Sequence, residues 1–89
     1  MKKFYDKLVK TRHHLHQHPE LSGQEFETTA FLKGYLEDLE IRILESGLKT
    51  GLAAEIGSGK PVIALRADID ALPILERTGL PYASQNSGV

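Results

Sequence analysis

Arg66, Asp68 and Asp70 stand at alternate positions immediately after the apolar run Val62–Leu65, and Pro73 follows. Side chains alternate faces along an extended chain, so all three are expected to project to one side. Two carboxylates and a guanidinium at the end of a strand of buried character are costly unless partnered. The local chemistry admits two readings. In one, the charges face water and Arg66 pairs with one Asp. In the other, the carboxylates orient metal ligands or tune a base, since a carboxylate hydrogen-bonded to a ligating His commonly fixes its ring. Carboxyl ends of strands are where open α/β sheets place their ligand sites.

The histidines of Arg12-His-His-Leu-His-Gln-His18 form the second chemical cluster. His14 and His18 are four residues apart, and His13 and His16 three, so each pair shares a helical face. That spacing suits a Zn²⁺ or Ni²⁺ site. A complete site needs three or four ligands, and no His-Glu-x-x-His is present. A surface or packing role is therefore expected, with a His-based metal module ranked below it.

The elements that must position these groups follow from periodicity. Phe4, Leu8, Thr11 and Leu15 fall on one helical face, which predicts a helix over about Lys2–His18, stopped by Pro19. Ser22-Gly-Gln-Glu25 has capping-box spacing, with Ser22 as N-cap and Glu25 reaching back. The helix it opens should run from about Gly23 to Leu39, burying Leu32, Tyr35, Leu36 and Leu39. Ile41–Leu44, Leu52–Ile56 and Pro61–Asp68 read as strands, the last two joined as a hairpin through Gly57–Lys60. Ile74–Gly79 fits either a helical turn or a loop, and Leu80–Val89 reads as irregular. This α-α-β-β-β order predicts an α/β fold with two amino-terminal helices packed on a small mixed sheet.

Eighty-nine residues allow one domain at most, with about 60% of the unfolded surface buried. Hydrophobic content is 40%, charged content 26% and net charge −1, the balance of a soluble globular chain. That charge gives no footprint for nucleic acid or a membrane surface. Cys is absent, so no disulfide or thiolate ligand comes from these residues. The basic start lacks the apolar core of a secretory signal, and the cytoplasm is the expected location.

Three motifs make the sequence similar to a known family: Leu15-His16 with His18-Pro-Glu-Leu-Ser22 and Glu25; Thr50-Gly51; and Leu65-Arg-Ala-Asp-Ile-Asp-Ala-Leu-Pro73 with Glu76, Thr78–Pro81 and Ser84. Together they resemble the N-acyl-amino-acid amidohydrolases, such as hippurate hydrolase, indole-acetyl-amino-acid hydrolase and N-acetyl-diaminopimelate deacetylase. These belong to the aminoacylase and carboxypeptidase clan of metallohydrolases. The resemblance implies a three-layer α/β/α catalytic domain and hydrolysis of small N-acyl amino acids with a divalent metal (Zn, Mn or Co). In that chemistry a metal pair activates water and a Glu shuttles its proton. In the clan's His-x-Asp-x-x-Pro motif the Asp orients a ligand His. Asp70 and Pro73 match its Asp and Pro, and Asp68 occupies the His position. Asp70 is thus implied to be an orienting carboxylate and Asp68 its neighbour, with Arg66 paired to them. His16 and Glu20 match too and are read as packing and capping residues.

The family's ligand-bearing His-Ala-Cys-Gly-His-Asp segment, its Glu pair and its lid or dimerisation domain have no counterpart in residues 1–89. The expectation is the amino-terminal part of a catalytic domain that binds no metal by itself and is inactive alone. The alternative is a non-catalytic assembly module that self-associates through open sheet edges.

Overall fold

Pro19 and Glu40 bound the two helical segments of the computed structural model, which describes residues 2–89. Helix α1 spans Lys2–Gln17 and α2 spans Phe26–Asp38; strands β1, Arg42–Leu44, and β2, Ala53–Glu55, complete the regular elements. The chain leaves α2 by a tight reversal. The Ile41 amide donates to the Leu36 carbonyl and the Glu40 amide to that of Glu37, with Glu40 in the left-handed region at φ 59°. This is the pairing that satisfies the last carbonyls of a helix, with Glu at a position usually held by glycine. It turns the chain directly into β1.

β1 and β2 pair antiparallel, Ile43 opposite Ala54. α2 packs against β1, with Leu32, Tyr35 and Leu36 half-buried on the expected face and Leu39 left outside. A lone parallel bridge joins Leu21 to Ala71. Both pairing senses therefore occur, but the ladder is two strands wide. α1 does not lie on the sheet. It contacts α2 where the His14 and Phe31 rings stack at 4.0 Å, and it carries residues 76–86 along its flank.

Two local expectations are corrected. Pro61–Asp68 forms no ladder, and β2 turns back onto β1 rather than onto this segment. Extended residues become a strand only when a neighbour accepts their hydrogen bonds, and among the described residues none lies alongside. Ser22 is also not the N-cap of α2. The Gln24 amide closes a turn on the Leu21 carbonyl, with Gly23 at φ 82°. This turn consumes Ser22 and delays the helix to Phe26.

No described apolar side chain is fully buried. Val62, Ile63 and Leu65 are 85%, 84% and 98% exposed, and Phe4 and Leu8 of α1 are more than half exposed. The radius of gyration is 14.9 Å, against about 12 Å for a self-contained chain of this length. Burial of apolar surface is the main stabilising term in folding, so the isolated monomer is expected to melt below the range of ordinary mesophile domains. A cooperative calorimetric transition above about 65 °C would contradict this.

Candidate functional site

Glu20 is the hinge between α2 and the Asp68–Asp70 segment. Its backbone carbonyl accepts from the Ala71 amide at 2.8 Å. Its carboxylate reaches the other way and accepts from the first free amides of α2, Glu27 at 3.1 Å and Thr28 at 2.6 Å. A capping side chain ordinarily meets these two amides from the N-cap position. Here the longer Glu side chain does so from outside the helix, where the helix dipole also favours negative charge. Burial pushes the Glu20 pKa up, but hydrogen bonds from the Thr28 side chain and from the Thr28 and Glu27 amides outweigh it, leaving the pKa lowered. The capping role read from the sequence holds for Glu20.

Glu25 and the Thr50-Gly51 motif meet at the same helix end. Glu25 is 9% exposed, and its carboxylate accepts from the Thr50 hydroxyl at 3.3 Å. The Thr29 hydroxyl donates to the Glu25 carbonyl at 2.6 Å and accepts from the Gly51 amide at 2.7 Å. Gly51 sits at φ 82°, a conformation that suits glycine. The motif thus ties the approach to β2 onto α2, and Glu25 serves that tie instead of closing a capping box with Ser22.

Arg66 pairs with Asp68 at 3.1 Å, with both side chains mostly exposed. Asp70 has no ion-pair partner among the described residues. Both Asp residues border two open clefts, of about 530 and 610 Å³. The first cleft also holds His16 and Glu76, the second Glu25 and Gly51.

Glu76 had no local signal beyond its place in the family motif, yet it organises the far wall of the first cleft. Its carboxylate accepts from His16 Nε2 at 3.0 Å, from the Ser84 amide at 2.8 Å and from the Thr78 hydroxyl. The Thr78 hydroxyl, the Ser84 amide and His16, in that order, hold its pKa down at about 2. Beside it, the His13 and Tyr82 rings stack at 3.7 Å. The Gln85 amide donates to the Gln17 carbonyl, and Asn86 Nδ2 donates to the Pro19 carbonyl at 2.9 Å. The histidines are accordingly packing and hydrogen-bonding residues. His14 leans on Phe31 and on His18, and His16 holds Glu76.

Among the described residues no three His, Asp or Glu side chains converge to hold a metal ion. Glu20 and Glu76 already accept from two and three donors, and Asp68 is paired with Arg66. The donor set of these residues does not fit a metal centre. No described helix is long and apolar enough to cross a membrane.

No family model matches the chain. It is 60% identical over 84 residues to N-acetyl-L-cysteine deacetylase of Bacillus subtilis strain 168, which covers 92% of this chain and 20% of the relative. It is 53% identical over 90 residues to N-acetylcysteine deacetylase of the same organism, covering 98% and 24%. Among solved structures, the YxeP protein of Bacillus subtilis, a dinuclear metal-binding peptidase of the M20 family, matches with a TM-score of 0.93 and 53% identity over 99% of this chain and 26% of its own. The chain spans about a fifth to a quarter of the length of these relatives.

Proposed function

We propose that this chain, which belongs to the family of the M20 metal-binding peptidase and the N-acetylcysteine deacetylases, builds the amino-terminal part of a catalytic domain that hydrolyses small N-acyl amino acids. The observation that carries the reading is the TM-score of 0.93 at 53% identity over 99% of these residues. A divalent metal such as Zn, Mn or Co supplies the Lewis acid in this reading, and its ligands come from outside residues 1–89. Within them, Asp70 is the positioning carboxylate. It is exposed, free of ion pairs among the described residues and bordered by two clefts, so its oxygens are available to a donor brought to either side. Asp68 is the neighbour that Arg66 holds in place. The reading places the protein in the cytoplasm.

These residues alone are expected to be inactive. The purified chain is incubated with Zn²⁺, Mn²⁺ or Co²⁺ and with N-acetyl or N-benzoyl amino acids, and amine release is followed. Metal-dependent turnover above background would sink the inactivity claim. A second reading, a non-catalytic module that self-associates, is favoured by the exposure of Val62–Leu65. Light scattering separates the two, because a mass of 9.9 kDa that holds at every concentration excludes it.

A further inference from the structure

Pro19 ends α1 and brings no amide hydrogen of its own, so the last carbonyls of the helix and those of the connector after it lack helical partners. Residues far along the chain meet them. The Gln85 amide donates to the Gln17 carbonyl at 2.8 Å, and the Ala71 amide to the Glu20 carbonyl at 2.8 Å. Between these two, Asn86 Nδ2 donates to the Pro19 carbonyl at 2.9 Å. The connector thus holds two separate segments, the one that carries Asp70 and the one at 84–86, on neighbouring carbonyls.

The Asn86 side chain reaches the connector from a fixed base. Its backbone amide donates to Ser84 Oγ at 3.1 Å, and that hydroxyl donates back to the Asn86 carbonyl at 3.0 Å. The Val89 amide closes onto the same carbonyl at 3.1 Å, and the Ser84 amide is anchored on Glu76 at 2.8 Å. This turn is held by backbone groups and the Ser84 hydroxyl, so the Asn86 side-chain amide is not needed to close it and serves the Pro19 carbonyl.

We propose that Asn86 is a positioning residue for Asp70, acting through the connector between α1 and α2. This rests on the role given to Asp70 above. A peptide unit is planar, so the bond from Asn86 orients the whole Pro19–Glu20 unit. Only the φ and ψ of Glu20 separate that unit from the next, whose carbonyl receives the Ala71 amide. That amide belongs to the Asp70–Ala71 unit, so its direction sets the ψ of Asp70. Without a donor at Asn86 the Pro19 carbonyl turns to water, and the aim of the Glu20 carbonyl at Ala71 loosens. The Glu20 carboxylate takes no part in this path, because it binds the amides of α2.

The test is hydrogen exchange and NMR on the full chain of 89 residues. Asn86→Ala and the isosteric Asn86→Asp both remove the donor, and Ala controls for the charge that Asp adds. Each is expected to quicken exchange at Ala71 about five-fold, the scale of one lost hydrogen bond, and to shift the Asp70 carboxylate carbon resonance. Asn86→Gln keeps a donor and should hold both signals near wild type. The Thr28 and Ser84 amides, bound to the Glu20 and Glu76 carboxylates, should exchange at the wild-type rate in every variant. An Ala71 amide unmoved in the Ala and Asp variants overturns the proposal and confines Asn86 to its own turn. Equal quickening of Thr28, Ser84 and Ala71 overturns it as a general loss of stability, and so does a Gln variant as fast as Ala. Position is read without metal or substrate. Amine release by the chain itself, which would count against the catalytic reading, therefore leaves these rates untouched, and the two fail separately.

Discussion

Glu76→Gln is expected to remove the acid sensitivity with which residues 76–86 dock onto α1. The Glu76 pKa falls from 4.5 to about 2 in the folded chain, because the carboxylate accepts from Thr78, Ser84 and His16. Between those values the undocked state binds the proton more readily than the docked state. Docking is then fully supported above about pH 4.5 and loses that support as pH falls toward 2. The amide of Gln keeps the shape and cannot ionise, so its profile should be flat across the same window. The Tyr82 ring, stacked on His13 at 3.7 Å, provides the signal: its NMR shifts should move toward random-coil values on acidification in the wild type. An unchanged profile in the variant would refute the assignment of Glu76. Glu76→Ala removes the acceptor altogether, and the Ser84 amide should exchange about ten-fold faster at neutral pH, as for loss of a hydrogen bond to a charged group.

Glu20→Ala is the second large effect. It deprives the Glu27 and Thr28 amides of their acceptor while leaving the backbone bond from Ala71 to the Glu20 carbonyl in place. Loss of a capping side chain costs about 1 kcal/mol, or about a five-fold rise in opening of the first turn of α2. Hydrogen exchange at Thr28, a residue 6% exposed, should quicken by that factor, and exchange at Ala71 should hold. Faster exchange at Ala71 alone would show that the carboxylate does not cap α2. Ser22→Ala should be silent at both amides, since the structure gives Ser22 no capping bond.

The difference between Ser22 and Glu20 shows how far local pattern carries. The Ser-x-x-Glu spacing identified a helix start near the right place, because capping residues and helix onset are neighbours in sequence. Which oxygen meets the amides depends on where the turn at Leu21–Gln24 aims the chain, and that turn is fixed by contact with Ala71, 50 residues away. Glu76 is a similar case. Lying between Leu75 and Arg77 it has no periodicity, and it gains importance only because residues 76–86 return along α1 and bring Ser84 and His16 to one carboxylate.

By itself the sequence determined the two helices, the short strands at 42–44 and 53–55, the packing role of the histidines and the resemblance to the family. Each follows from spacing within one element or from a motif long enough to be distinctive. Tertiary structure alone decided that β2 pairs with β1, that Pro61–Asp68 lacks a ladder, that Arg66 pairs with Asp68, and that among the described residues Asp70 has no ion-pair partner and no three donors converge on a metal. Those outcomes depend on what lies beside a residue in space. The apolar run before Arg66 shows the distinction most plainly: its pattern predicts a strand, and only the fold reveals that it pairs with no neighbour among the described residues and stays exposed.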